Sequence, residues 1–406
     1  MFELKNPIFL LRLSAFFLPF FQTGSIVCWV LILVMHTLGK EGRSLLVQSG
    51  LHSVSFWLMP AYFLMHIAGM LWTENQIFGW KDIETKLSFI LLPFVIASVS
   101  VDSHSTRTIC RAFINGALVA VVYLFIRALG MFITDGDPVH FFYANITSAL
   151  MHPTYLGMYL SFAMLLTIFY LHDRTGSFLQ YRELVIFTFF SVMLFLTESR
   201  AAILSTLLLI PVFVILLYIK RRLSIKQLLF ILTTLLALVM FNQFGNPMHN
   251  RFAEITGSQG QVTVRNASGS VGSRIEIWKQ AKELVVQSPV IGHGTGDAKD
   301  ILLESYRKSG FNYALDKKLN AHNQFIQSGI ALGFIGFLLL ITMLIRPLFP
   351  FQTSPFTYLL FMLILNAMTE SIFETQKGVL FSAFFYSLFM TESLTSGSFS
   401  ATEKDI

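Results

Sequence analysis

The chain has 406 residues, 54% of them hydrophobic and 13% charged, against roughly 25% charged in an average soluble domain. With a mean hydropathy of +0.64 and the apolar residues bunched into separate runs, this composition excludes a cytosolic globular protein and points to a polytopic membrane protein. The net charge of +6 and the pI near 9.2 do not indicate nucleic acid, because no basic, aromatic-interleaved soluble module carries them.

In chain order, the opening run MFELKNPIFLLRLSAFFLPFFQ lacks a small-residue cleavage site and is expected to be a retained first span. Further spans are expected near 25–38, 51–71, 87–100, 112–133, 153–171, 184–197, 201–219, 227–243, 324–344, 356–369 and 378–391. The expected fold is therefore all-α, with about twelve transmembrane helices. Several runs, including 184–197 and the last two, are nearer a dozen residues than twenty, so re-entrant or tilted and partly buried helices stay open. Cys28 and Cys110 lie in or beside apolar runs and give neither a disulfide framework nor a cysteine-rich metal site.

Sorting Lys and Arg between alternating loops is one-sided when both termini are cytoplasmic. KRRLSIK at 220–226 is the firmest inside anchor, and the short outer loops hold only Lys81, Lys86, Arg200 and Lys377. Residues 1–243 then carry nine helices, 244–323 form one large outer insertion, 324–391 carry three more helices, and 392–406 read as a disordered cytoplasmic tail. Within the insertion, Ser273 and Glu276 have capping-box spacing, which puts Arg274 in the first turn of a helix ended by Ser288-Pro289. A second helix is expected from Asp297 to about Ser309, capped by Asp297 with Asp300 three residues on.

Ionisable groups at the mouths of spans cost about 2.5–3.5 kcal/mol each on insertion scales, so each needs a reason. On this topology His152, Glu198, Arg200, Arg251, Arg265, Arg274, His322, Glu370 and Glu374 all gather on the outer side. Arg200, in LTESRAAIL, is either a snorkelling interface anchor or an anion clamp that forks onto phosphate oxygens. Arg274 poses the same choice between solvated surface residue and phosphate ligand. His322 follows Asn320, an expected N-cap; in a first helical turn the positive helix end would favour a neutral imidazole base, and the alternative is a hydrogen-bonded interface residue. Asn323 and Gln327 share a helical face suited to sugar hydroxyls, and Gly329 with Gly333 forms a GxxxG that permits close packing. The Gly-rich GHGTGD at 292–297 lacks the βαβ setting of a dinucleotide site and reads as a tight turn. Asp135 and Asp137 form a DxD that more often makes a turn beside proline than a Mg or Mn site. His152 before Pro153 is either a ligand contact or ordinary helix initiation.

The combined pattern resembles the O-antigen ligase and O-antigen polymerase superfamily of bacterial inner membranes. The carrying segments are HPTYLGMY at 152–159, TESRAA around Arg200, GSRIEIWKQA followed by SPVIGHGTGD, and HNQFIQSGIALGFIG. His293, between the glycines, departs from the small or apolar residue expected there. The resemblance implies a C-type membrane glycosyltransferase fold with a periplasmic active site and an undecaprenyl-pyrophosphate-linked glycan as donor. It also implies a lipid A core or another glycan as acceptor, with membrane lipid around the protein, and neither cofactor, metal nor nucleic acid. Arg200, Arg274 and His322 are the implied catalytic residues, and Arg251, Arg265, Asn323, Gln327 and His152 the expected substrate-binding ones. Polymerase or protein O-glycan ligase activity stays open within the family. A secondary transporter or a non-catalytic assembly subunit are the readings outside it, though the one-faced ionisable cluster does not suit alternating access around midplane groups.

Overall fold

The structure is a computed structural model and describes residues 6–38, 53–171, 177–243 and 270–402. Arg251 and Arg265 lie outside the described residues, as does most of the junction after the ninth expected span. Among the described residues every regular element is helical. We number the α-helices α1 (Pro7–Phe17), α2 (Gln22–Leu38), α3 (Val54–Gly69), α4 (Gln76–Lys86), α5 (Ser88–Ala97), α6 (Ser103–Asp135), α7 (Tyr143–Thr147), α8 (Pro153–Phe169) and α9 (Ser177–Leu196). They continue as α10 (Arg200–Ile219), α11 (Ile225–Gln243), α12 (Ser270–Gln287), α13 (Ala298–Ser309), α14 (Asn312–Asp316), α15 (Gln324–Ile345), α16 (Pro355–Ala367) and α17 (Gln376–Thr402).

Among the described residues four stretches are long and apolar enough to cross a membrane: Val54–Trp72, Ser103–Asp135, Arg200–Ile219 and Gln324–Leu348. Five shorter apolar helices accompany them, including α8 and α16. The protein is thus a helical membrane protein. α6 is a single helix of 33 residues, about 50 Å long at 1.5 Å per residue and well beyond the hydrocarbon thickness. At the other extreme, α5 has 10 residues and follows the polar α4 directly.

α8 is the centre of the bundle. Pro153 sits at its N1 position, where the missing N–H costs nothing, and every side chain from Pro153 to Ile168 is buried. It packs against α6, α9, α10, α16 and α17. Its one central hydroxyl is satisfied: Thr206 donates to Ser161 Oγ at 2.8 Å, and Ser161 pairs with the Tyr358 hydroxyl at 2.9 Å, tying α8 to α10 and α16. Around it Phe113, Phe162, Phe381 and Phe385 interlock edge to face, with Phe385 at 4.8 Å from both Phe113 and Phe162.

α15 is broken at Gly333, whose φ of 63° and ψ of −157° lie in a region that only glycine occupies cheaply. The broken turn frees two carbonyls and two N–H groups inside an apolar bundle, where unsatisfied backbone costs several kcal/mol. The chain at 289–294 closes all four. His293 and Gly294 donate to the carbonyls of Ile330 and Ala331, each at 2.9 Å, while Phe334 and Ile335 donate to the carbonyls of Pro289 and Val290 at 2.8 and 3.3 Å. The GHGTGD segment is thus a backbone staple between insertion and membrane helix. His293 serves the same joint, its Nε2 bonding the Leu284 carbonyl at 2.8 Å. A Cβ on Gly333 would stand 2.4 Å from the Val290 carbonyl, whereas one on Gly329 would meet only Val285 Cγ2 at 3.5 Å. Gly333→Ala is therefore expected to cost at least about 2 kcal/mol from the backbone conformation alone. Gly329→Ala is expected to be nearly neutral, and equal melting temperatures for the two variants would refute the staple.

Several expected helix ends move. α12 begins at Ser270, so Ser273 is an interior residue and Arg274 stands past the first turn; tertiary context overrides both the capping-box signal and the weak helix propensity of Val271 and Gly272. α13 ends at Ser309 as expected, but Asp297 makes no side-chain cap. Its carboxylate instead accepts the N–H groups of Glu74 and Asn75 at 2.8 and 2.7 Å, while Asp300 takes the Asn75 amide at 2.5 Å. α17 continues to Thr402, into the stretch expected to be a disordered tail. No proline interrupts that stretch, and Glu392 is held near Ser103 and Arg107.

Candidate active site

The helix break and staple bring α12 beside the start of α15. Trp278 Nε1 donates to the Ala321 carbonyl at 2.9 Å, so α12 is bonded directly to the residue before His322. His322 itself lies outside the helix, with φ of 44°, its N–H bonded to Asn320 Oδ1 at 3.0 Å. The N-cap is Asn323, whose Oδ1 accepts from Ile326 N–H at 3.0 Å. The expected cap at Asn320 is thus corrected: Asn320 closes the turn that carries His322, and Asn323 starts the helix. The histidine still faces an N-terminal helix end, now from just before it.

Glu370, between α16 and α17, meets the ring. His322 Nδ1 lies 3.1 and 3.2 Å from its two carboxylate oxygens. A carboxylate partner makes Nδ1 the donor and leaves the lone pair on Nε2. The second neighbour of Glu370 is Arg274, Nη2 to Oε2 at 4.0 Å. Burial pushes the Glu370 carboxyl up, but the hydrogen bond and charge of His322, then Arg274 and the Ser371 N–H, more than reverse this and hold it below the ordinary glutamate value. It is a carboxylate at neutral pH.

Arg200 is the first residue of α10 and close enough to Arg274 for the two charges to oppose each other. Burial is the larger influence on Arg274 and, with Arg200, lowers its guanidinium from the ordinary value, while Glu370 acts in the other direction. An arginine stays charged, so two like charges stand near one another here. His152, exposed at the N-cap of α8, feels the charges of both Glu370 and His322. Its ring lies edge-on to Tyr143 and Tyr155 at 6.5 and 6.4 Å.

Backbone strain concentrates here. The described non-glycine residues with left-handed φ are Tyr143, Glu198, Arg221, Lys318 and His322. Tyr143, Glu198 and His322 belong to this site or its immediate flank, each a conformation costing of order 1–3 kcal/mol that the surrounding packing must hold.

The structure therefore brings Arg200, Arg274, His322 and His152 together. Asn323 and Gln327 bond the scaffold: Asn323 Nδ2 donates to the Met368 carbonyl at 3.0 Å, and buried Gln327 accepts from Ala321 N–H at 3.3 Å. Asp135 and Asp137 are engaged in their own turn, accepting the N–H groups of Asp137 and Val139, with His140 Nε2 on Asp135 at 2.6 Å. Glu370 is the group that sequence reasoning left without a role. Its signal was present, a carboxylate in TESIFE between two apolar runs that needs a buried partner.

These features define a helical membrane protein with a cationic site built over a His–Glu pair. A family model described as O-antigen ligase matches residues 184–341, a stretch that runs from α9 into α15 and includes Arg200, Arg274 and His322. This match, over less than half of the chain, supports a likeness to the O-antigen ligase superfamily. The chain is also similar to an uncharacterized protein of Haemophilus influenzae, 25% identical over 139 residues that make up 33% of each chain. The matched part thus spans about a third of that relative's length.

Proposed function

We propose that the protein transfers a glycan from undecaprenyl pyrophosphate to an acceptor hydroxyl at the periplasmic face of the bacterial inner membrane, as an O-antigen ligase acting on lipid A core. The observation that carries this reading is that Arg274 shares Glu370 with His322, whose Nδ1 that carboxylate holds, while Arg200 from a separate helix lies near Arg274. A groove of about 740 Å³ adjoins it, lined by Trp278, Val285, Ile326, Phe334 and Phe337. Trp278 lies one helical turn from Arg274, and Asn323, at the same groove, follows His322. Its apolar walls suit a prenyl tail whose pyrophosphate reaches the arginines.

In the proposed reaction His322 Nε2 takes the proton of the acceptor hydroxyl, and that oxygen bonds to the anomeric carbon. The bond from this carbon to the pyrophosphate oxygen breaks, the electron pair leaving with undecaprenyl pyrophosphate. Direct displacement inverts the anomeric centre. Negative charge grows on the leaving pyrophosphate, and the fixed guanidinium groups of Arg200 and Arg274 stabilise it more than the bound donor. Glu370 offsets the positive charge that His322 gains. The twelve-span count and the C-type glycosyltransferase fold belong to this same proposal, with the insertion covering the site and limiting hydrolysis of the donor.

The test is full-length protein in lipid nanodiscs, given an undecaprenyl-pyrophosphate-linked oligosaccharide and purified lipid A core, with EDTA throughout. The expected result is acceptor heavier by the whole glycan, with undecaprenyl pyrophosphate released. Lengthened lipid-linked glycan would make the protein a polymerase, and no new glycosidic bond with any acceptor would overturn the reading.

A further inference from the structure

A second ionisable cluster lies beside the site, and the reaction above does not use it. Lys86, the last residue of α4, is completely buried. Its Nζ bonds the Asp82 carboxylate, and it lies 3.2 Å from Glu374 Oε1. The other Asp82 oxygen is 3.3 Å from His66 Nδ1 on α3. Taking such charges out of water is costly, and a buried ion pair is a poor source of stability compared with apolar packing. Fixing one geometry is the use such a cluster can serve.

What it fixes can be traced along the chain. Glu374 ends the short turn Ile372–Glu374, and only three residues separate it from Glu370, the partner of His322. Two of those three bond the chain just after His322. Ser371 Oγ accepts the Asn323 N–H at 3.3 Å, and Phe373 N–H donates to Gln324 Oε1 at 2.7 Å. From the other flank α17 closes on the same turn, since a Cβ on Gly378 would stand 1.8 Å from the Ile372 carbonyl oxygen. Gln324 continues the connection to α3 through Ser328, 3.4 Å away, which pairs with the Tyr62 hydroxyl at 2.7 Å. The turn is thus bonded to His322's neighbours on one side and anchored by Lys86 on the other.

We propose that Lys86, acting through Glu374, is a positioning residue: it anchors the 371–374 turn and so sets where the Glu370 carboxylate stands against His322. The inference rests on the reading of His322 as the base. It accounts for a fully buried lysine in α4, a helix otherwise too polar to belong to the apolar bundle.

The test compares wild type with Lys86→Met, and with Glu374→Gln should Lys86→Met fail to fold, all as full-length protein in nanodiscs. Amide hydrogen exchange, measured without substrate, is expected to speed up at Asn323 and Phe373 by about tenfold while the rest of the bundle is unchanged. In the transfer assay, with an undecaprenyl-pyrophosphate-linked oligosaccharide as donor, kcat is expected to fall about 10–100-fold with donor KM within about twofold, the effect of a misplaced base. The groups facing His322 are Glu370 and His152, with Arg274 behind Glu370. Loosening Glu370 removes support for imidazolium, so the acid side of the pH–rate profile is expected to move to lower pH. A purely structural role would scale the rate with the folded fraction and leave that profile in place; this outcome, or unchanged exchange at both amides, overturns the proposal. Should wild type transfer no glycan while the amides respond as expected, the transferase reading fails and the positioning device stands.

Discussion

His322→Ala is expected to lower the rate of glycan transfer by about 10²–10⁴-fold, the usual contribution of a general base, with little change in donor KM. The ring is the one basic group that the site presents beside the two arginines with a carboxylate on its far nitrogen. That pairing does two things at once. It fixes the tautomer that leaves Nε2 able to accept a proton, and it supplies a compensating charge once the proton has arrived. A base that acts on the reacting hydroxyl is used in the transition state, so the loss should fall on kcat. Steady-state kinetics on folded, monodisperse protein measures it. A variant that keeps the wild-type rate would remove His322 from the chemistry.

Arg274→Lys and Arg200→Lys are each expected to reduce kcat by roughly 10²–10³-fold, the range seen when a preorganised charge-stabilising group is lost. Lysine keeps the charge but loses the planar fork that matches two phosphate oxygens. At Arg274 a further effect follows from Glu370, 4.0 Å from its guanidinium. An ammonium on a flexible stem would be drawn toward the carboxylate rather than held facing the donor. The comparison should be made at saturating donor, since a loss confined to KM would mean that the arginines grip donor and transition state equally. Near-normal transfer by both variants would rule out a bidentate clamp.

Much of this site was legible in the sequence, for a physical reason. Charged side chains are expensive at the mouths of apolar helices, so Arg200 and His322 stood out against their surroundings, whereas Arg274, on a polar insertion helix, was singled out by the resemblance. Helix ends were less legible. Ser273 and Glu276 have the spacing of a cap, yet α12 begins at Ser270. Asn320 and Asn323 are both good caps by residue type, and only the fold decides that the second starts α15 while the first closes the turn before it. Glu370 was visible as an ionisable residue but not as a partner, because its contacts to His322 and Arg274 join segments 48 and 96 positions apart in the chain. The break at Gly333 was hidden by a GxxxG spacing that serves equally well for two smooth helices in contact.

The four bonds at the Gly333 joint link main-chain groups on both sides, so they read chain length more than side-chain identity. Residue types at 289–291 are freer to vary than those at Gly292, Gly294 and Gly333, whose φ of 72°, 111° and 63° favour glycine. Adding or deleting a single residue there would shift all four bonds out of step. For anyone redesigning this protein, that makes the length of the segment, more than its composition, the quantity to preserve.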